Sequence, residues 1–197
     1  MFDPVGSYGV PGNNTDINWN FSTPTNIIAI QINAKDEQRN LFDLQSLKSS
    51  DGTLAGKNWT EITLPGVHAD IGGGYKEGEQ GKSQDIAFYS MQTMINEAAR
   101  YGIDFKEIPQ NQLPSFELNT AMNMYLNAQT SYKNNPTEDN KFLMEDVDKF
   151  IQQNFAHDST FSGSGKIYNY SIGNERGIFY PNYKYLSESS ILTTEGN

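Results

Sequence analysis

The acid–base chemistry open to this chain is narrow, because it holds two histidines and no cysteine. His68 lies in Pro65-Gly66-Val67-His68-Ala69-Asp70-Ile71-Gly72-Gly73-Gly74-Tyr75, directly after the strand-like stretch Trp59–Leu64. The other, His157, is far off in sequence, so His68 is the leading candidate for general acid–base work. Glycine tolerates positive φ and close backbone approach, so three in succession predict a shaped loop beside the imidazole. Two readings of His68 stay open on the residues alone: a reactive base on a loop, or a packed, hydrogen-bonded histidine.

Two carboxylates fall near such chemistry. Asp70 makes a His-x-Asp pair with His68, which is either half of a metal site or a loop carboxylate accepting backbone N–H bonds. A metal site needs a further ligand, and His157-Asp158 is the other local cluster. Asp3, in Phe2-Asp3-Pro4-Val5-Gly6-Ser7, is either a turn former before proline or a carboxylate able to orient a histidine. Gly163-Ser164-Gly165-Lys166 fails as a phosphate loop, since Thr160 stands where the pattern needs glycine and Ile167 follows the lysine.

The elements that must position these groups read as alternating strand and helix. Trp59–Leu64 alternates in the manner of a strand. Ser83 and Gly102 bracket a helix with Ile86, Ala87, Met91, Met94, Ile95, Ala98 and Ala99 on one face. Helices follow over 115–132 and 137–154, the latter with Glu138 and Asp139 at its amino end. The apolar positions between Thr25 and Phe42 fit helix or strand equally, and Thr23-Pro24 as a helix start tips the expectation to helix. Residues 1–26 read as loop, and Ile167, Tyr168 and Tyr170 as a short strand.

Composition excludes several classes. A net charge of −10 argues against binding nucleic acid through its phosphates and offers no polybasic route to an anionic membrane. No stretch approaches the roughly 18 apolar residues of a spanning helix. The amino terminus lacks the basic and apolar regions of a secretory signal, and the lack of cysteine fits a reducing compartment, so cytoplasmic synthesis is expected. A chain of 197 residues is one domain, or one domain with an extension.

Taken together, Phe2-Asp3-Pro4-Val5-Gly6-Ser7, Asp36-Glu37-x-Arg39-x-x-Phe42, the Pro65–Tyr75 run and Asp85-Ile86-Ala87 occur in an order that resembles the catalytic domain of type VI secretion lipase effectors (the Tle-type phospholipases), members of the α/β-hydrolase superfamily. The resemblance covers residues 1–105 well and the remainder thinly. It implies a Ser-Asp-His triad that cleaves phospholipid acyl esters with no metal or organic cofactor. By position His68 matches the family's catalytic histidine and Asp3 its acid, and the order acid then histidine suits that fold. His157-Asp158-Ser159 resembles a downstream element of such proteins to which no chemistry is assigned.

One departure is plain: Gly-x-Ser-x-Gly is nowhere in the sequence. The expectation is therefore an α/β fold in which residues 1–105 are the C-terminal part of an α/β-hydrolase catalytic domain, lacking the nucleophile serine. Residues 106–197 are expected to form a helical and aromatic cap or accessory region, with Phe155, Phe161, Tyr180, Tyr183 and Tyr185 in its core or facing lipid. Such a fragment is expected to be inactive by itself. The implied partners are a phospholipid or acyl-ester substrate, an upstream nucleophile-bearing fragment, and a secretion spike or immunity protein, with export through a signal-less injection apparatus. Two other readings stay open: a non-catalytic remnant binding lipid or a partner, and a metal-dependent hydrolase using His68 and Asp70.

Overall fold

A computed structural model describes residues 1–5, 26–39, 42 and 44–159. It is mixed α/β: strand β1 (Ala29–Ala34) pairs in parallel with β2 (Trp59–Leu64), in register from Ala29 opposite Trp59 to Ala34 opposite Leu64. On the far side of β1, residues 1–3 run parallel to it. The Met1 nitrogen donates to the Ile30 carbonyl, Ile32 N–H to Met1 and Asp3 N–H to Ile32. Three parallel backbone stretches thus lie side by side, with their carboxyl ends at one edge.

The expected helix over 25–42 is instead β1. Ile32 is wholly buried, and so are Gln31 and Asn33, whose side chains point to opposite faces from it. A strand enclosed on both faces loses the apolar–polar alternation that would mark it, and its Ile-rich run then mimics a buried helix. Gln31 and Asn33 share one face and bond side chain to side chain at 2.9 Å.

Among the described residues four α-helices follow: α1 (His68–Gly72), α2 (Asp85–Ala99), α3 (Phe116–Asn134) and α4 (Glu138–Asn154). Local chemistry sets the ends of the last two. Ser115 Oγ accepts from Leu118 N–H, and Thr137 Oγ1 from Asn140 N–H. Pro136 cannot continue α3, so the chain reverses within three residues and α4 packs back along α3. At the end of α2, Gly102 takes φ 76° while its N–H and that of Ile103 bond back to Ala99 and Ala98.

One core joins these elements. Ile32 and Leu64 from the strands meet Ile71, Ile86, Leu118, Met122, Tyr125, Val147 and Ile151 from the helices. Phe155, an aromatic considered for a lipid-facing role, is buried in this core. Tyr89 crosses from α2 to α3 to donate to Asn123 Oδ1 at 3.1 Å. Among the described residues, no helix is long and apolar enough to cross a membrane.

The chain divides into two compact units. The first comprises Met1–Pro4, Ser22–Glu37 and Ser46–Ser159, so residues on both sides of position 105 share one body. The second comprises Val5–Phe21, Gln38–Gln45 and Thr160–Asn197. Within it Val5 forms an antiparallel bridge with Leu44, and the Arg39 guanidinium lies 3.7 Å from the centre of the Phe42 ring. The expected 167–170 strand, the Gly163–Lys166 turn and Phe161, Tyr180, Tyr183 and Tyr185 lie outside the described residues.

Candidate active site

Asp3 ends the backbone stretch beside β1, and β2 leads through Pro65, Gly66 and Val67 to His68. Both groups therefore leave the carboxyl ends of parallel stretches that flank β1 on either side, the edge where α/β sheets place their ligands. The imidazole does not sit on an open loop as expected. It occupies the first position of the one-turn helix α1, whose amino end is built by Gly66 and Val67.

The structure brings Asp3 and His68 together across 65 residues, with Asp3 Oδ2 2.8 Å from His68 Nδ1. The other carboxylate oxygen, Oδ1, accepts the Ala34 N–H at 2.8 Å. Asp3 is 3% exposed, while the His68 side chain is 28% exposed, so the acid is sealed behind a ring that still reaches the surface. Asp3 also adopts φ 36°, a left-handed conformation that costs a non-glycine residue about 1–3 kcal/mol and clusters at functional sites. A neutral imidazole that donates from Nδ1 to a carboxylate keeps its Nε2 lone pair, the tautomer a general base needs.

Three further carboxylates hold the turn that carries His68. Successive N–H groups each meet a different acid: Gly66 donates to Asp36 Oδ2 at 2.8 Å, Val67 to Asp70 Oδ2 at 3.0 Å, and His68 to Glu37 Oε2 at 3.2 Å. These are orphan donors at a helix amino end, and anionic acceptors suit them best. Asp36 and Glu37 follow β1 directly, and Lys35 and Asp36 N–H groups return bonds to Leu64 and Gly66 carbonyls. Lys35 Nζ joins Asp36 at 2.9 Å and Asp148 of α4 at 2.6 Å; burial works against its charge, but these two carboxylates prevail and raise its pKa. Gln152 of α4 also donates to Asp36.

Asp70 fulfils one of its two readings, that of a loop carboxylate accepting backbone N–H bonds, and it has a second duty. Its Oδ1 lies 2.5 Å from His157 Nδ1 and its Oδ2 accepts the His157 N–H at 3.1 Å. Asp70 and His157 thus pair with each other and not with the Asp3–His68 couple. Among the described residues, no group of three or more His, Cys, Asp or Glu side chains is placed to hold a metal ion.

Gly66 is required where it stands: φ is 121°, and an added Cβ would lie 3.1 Å from Asp70 Cβ. The glycine run, expected to shape a loop beside the imidazole, ends α1. Gly73 at φ 75° closes α1, and Gly74 donates to Ala69 O with no room for a Cβ, which would meet Ala69 Cβ at 3.0 Å. The chain curls back so that Tyr75 stacks on His157, ring centres 3.9 Å apart. Sequence reasoning missed the roles of Asp36, Glu37, Gln152 and His157. A signal for Asp70 was available, since an acid at the third position of a helix reaches back to the capping N–H.

Residues 1–97 match the family described as the type VI secretion system phospholipase effector Tle1-like catalytic domain. The match covers 97 of the 197 residues. The Tle1-like match takes in Asp3, the Asp36-Glu37 pair, all of α1 and most of α2, and stops before α3, α4 and His157. No curated protein and no solved structure matches the chain.

Proposed function

We propose that this Tle1-like chain supplies the acid and the base of a serine-type hydrolase that cleaves phospholipid acyl esters on an α/β-hydrolase frame. The observation that carries the reading is the Asp3–His68 contact of 2.8 Å through Nδ1, at the carboxyl ends of the two parallel stretches that flank β1. Asp3 fixes the ring and stabilises the imidazolium. His68 Nε2 takes the proton of a serine hydroxyl as the serine oxygen attacks the ester carbonyl, then returns it to the leaving alcohol. A water molecule, deprotonated by the same nitrogen, hydrolyses the acyl-serine. The family's name supports a phospholipid substrate and delivery by type VI secretion.

The serine comes from outside these 197 residues, since none of the serines here stands in a Gly-x-Ser-x-Gly elbow. Nucleophile, base and acid act as a unit, so the chain by itself turns over no ester. That same lack favours a second reading, a non-catalytic lipid- or partner-binding module.

The test is an assay on a fluorogenic acyl ester and on phosphatidylcholine vesicles. The chain is used alone and then joined to the elbow-bearing segment of its adjoining coding sequence. The expected result is turnover only in the joined form, blocked by a serine-directed phosphonate, indifferent to chelators and abolished by His68→Gln. Turnover that survives His68→Gln refutes the mechanism. A joined form that binds vesicles without hydrolysing either substrate supports the module.

A further inference from the structure

We propose that His157 is a positioning residue for His68, acting through Asp70 as the outer member of a second, buried acid–imidazole pair. The inference rests on the reading of His68 as the reacting base.

His157 is 4% exposed, and the two side chains of the pair are 1% and 2% exposed. A buried imidazole held only for bulk would need no acid. This one gives Asp70 two donors, Nδ1 and its own backbone N–H. Asp70 spends its remaining capacity on the N–H of Val67, the residue just before His68. Without the His157 ring, that carboxylate would be buried with two donors in place of three, and its Oδ1 would have none. A buried carboxylate short of donors draws in water or swings out, and either outcome releases the Val67 N–H.

The pair is held in one tautomer. His157 Nε2 is buried and has no hydrogen-bond partner among the described residues. With Nδ1 protonated toward Asp70, Nε2 carries only a lone pair, which is cheaper to leave unmet than an N–H. Tyr75 covers one face of the ring, and Gln80 fixes the next residue by exchanging bonds with the Asp158 N–H and carbonyl at 2.8 and 3.1 Å. The whole assembly places the chain just after α4 as a brace behind α1. Gln152 adds the parallel tie to Asp36 and hence to Gly66.

The test uses the isotopically labelled 197-residue chain, whose two histidines give only two sets of imidazole signals. His157→Phe keeps an aromatic ring under Tyr75 and deletes the donor; His157→Asn restores a donor near the Nδ1 position. In His157→Phe, amide exchange at Val67 and His68 is expected to rise about tenfold, the loss of one charge-assisted bond. Exchange at Leu118 and Met122 in α3 stays as in the parent, and the His68 ring signals move. His157→Asn brings both readouts most of the way back. If His157→Phe fails to fold, Asp70→Asn, which keeps the shape of the acid and reverses the polarity at His157 Nδ1, is read in the same way.

Unchanged exchange at Val67 and His68, or a rise shared equally by α3, overturns the proposal. In the joined enzyme, His157→Phe lowers kcat and leaves KM, and His157→Asn recovers it. Should His68→Gln leave hydrolysis intact, the underlying reading and the proposal fall together. Should His68→Gln abolish it while His157→Phe does nothing, the proposal alone falls.

Discussion

The substitution Asp3→Asn separates what this carboxylate does for the fold from what it does for His68. The asparagine keeps an oxygen for the Ala34 N–H, a bond of 2.8 Å, and tolerates the φ of 36° better than most residues. The change falls on the other side, where Oδ2 meets His68 Nδ1. An NH₂ group there donates, so Nδ1 must accept, and the proton moves to Nε2. One charge-assisted bond, worth roughly 1.5–3 kcal/mol, becomes a neutral one worth roughly 0.5–1.5, so stability falls by about 1 kcal/mol. Activity follows a different scale. A ring protonated at Nε2 cannot take the serine proton, and the comparable change in other triads lowers kcat by about 10⁴. Urea titration gives the first quantity on the chain alone. Ester turnover of the joined enzyme gives the second, and ring ¹⁵N shifts report the tautomer directly. A loss of several kcal/mol with kcat nearly unchanged would refute the reasoning and make Asp3 a structural capping group.

Further outcomes follow from the same geometry. Gly66→Ala places a Cβ 3.1 Å from Asp70 at a φ of 121°, so a loss of about 1–3 kcal/mol is expected by urea titration, with the acid–imidazole pair of Asp70 and His157 disturbed in the imidazole spectrum. Glu37→Ala removes the acceptor of the His68 N–H and is expected to lower kcat of the joined enzyme about tenfold while shifting Tm little; an unchanged kcat would show that the turn needs no third acid. Glu61 is a carboxylate whose pKa burial pushes up but which Lys48, Ser46 and the Leu47 N–H together bring below its ordinary 4.5. Its contribution to stability is therefore present above pH 4.5 and lost as pH falls through the lowered value. Thermal melts across that range should show Glu61→Gln less stable at pH 7 and flatter toward acid, and parallel curves for the two proteins would contradict this.

Much of the frame was written locally. Ser115 and Thr137 cap their helices, Gly102 ends α2, Pro136 turns the chain between α3 and α4, and alternation marks β2. Each of these signals acts within a few residues, so the sequence carries it unaided. The order of the motifs around Asp3 and His68 was likewise enough to single those two residues out. β1 was not legible, because burial on both faces erases the period that separates strand from helix. Nor was the support of the site: Asp36 meets Gln152 across 116 residues, and Asp70 meets His157 across 87. Such partners are chosen by which chain segments the sheet and the α3–α4 hairpin bring together, and no local spacing records that choice. Residue types at short range thus set most of the elements and singled out the candidate imidazole and acid; only packing decided which side chains hold them still.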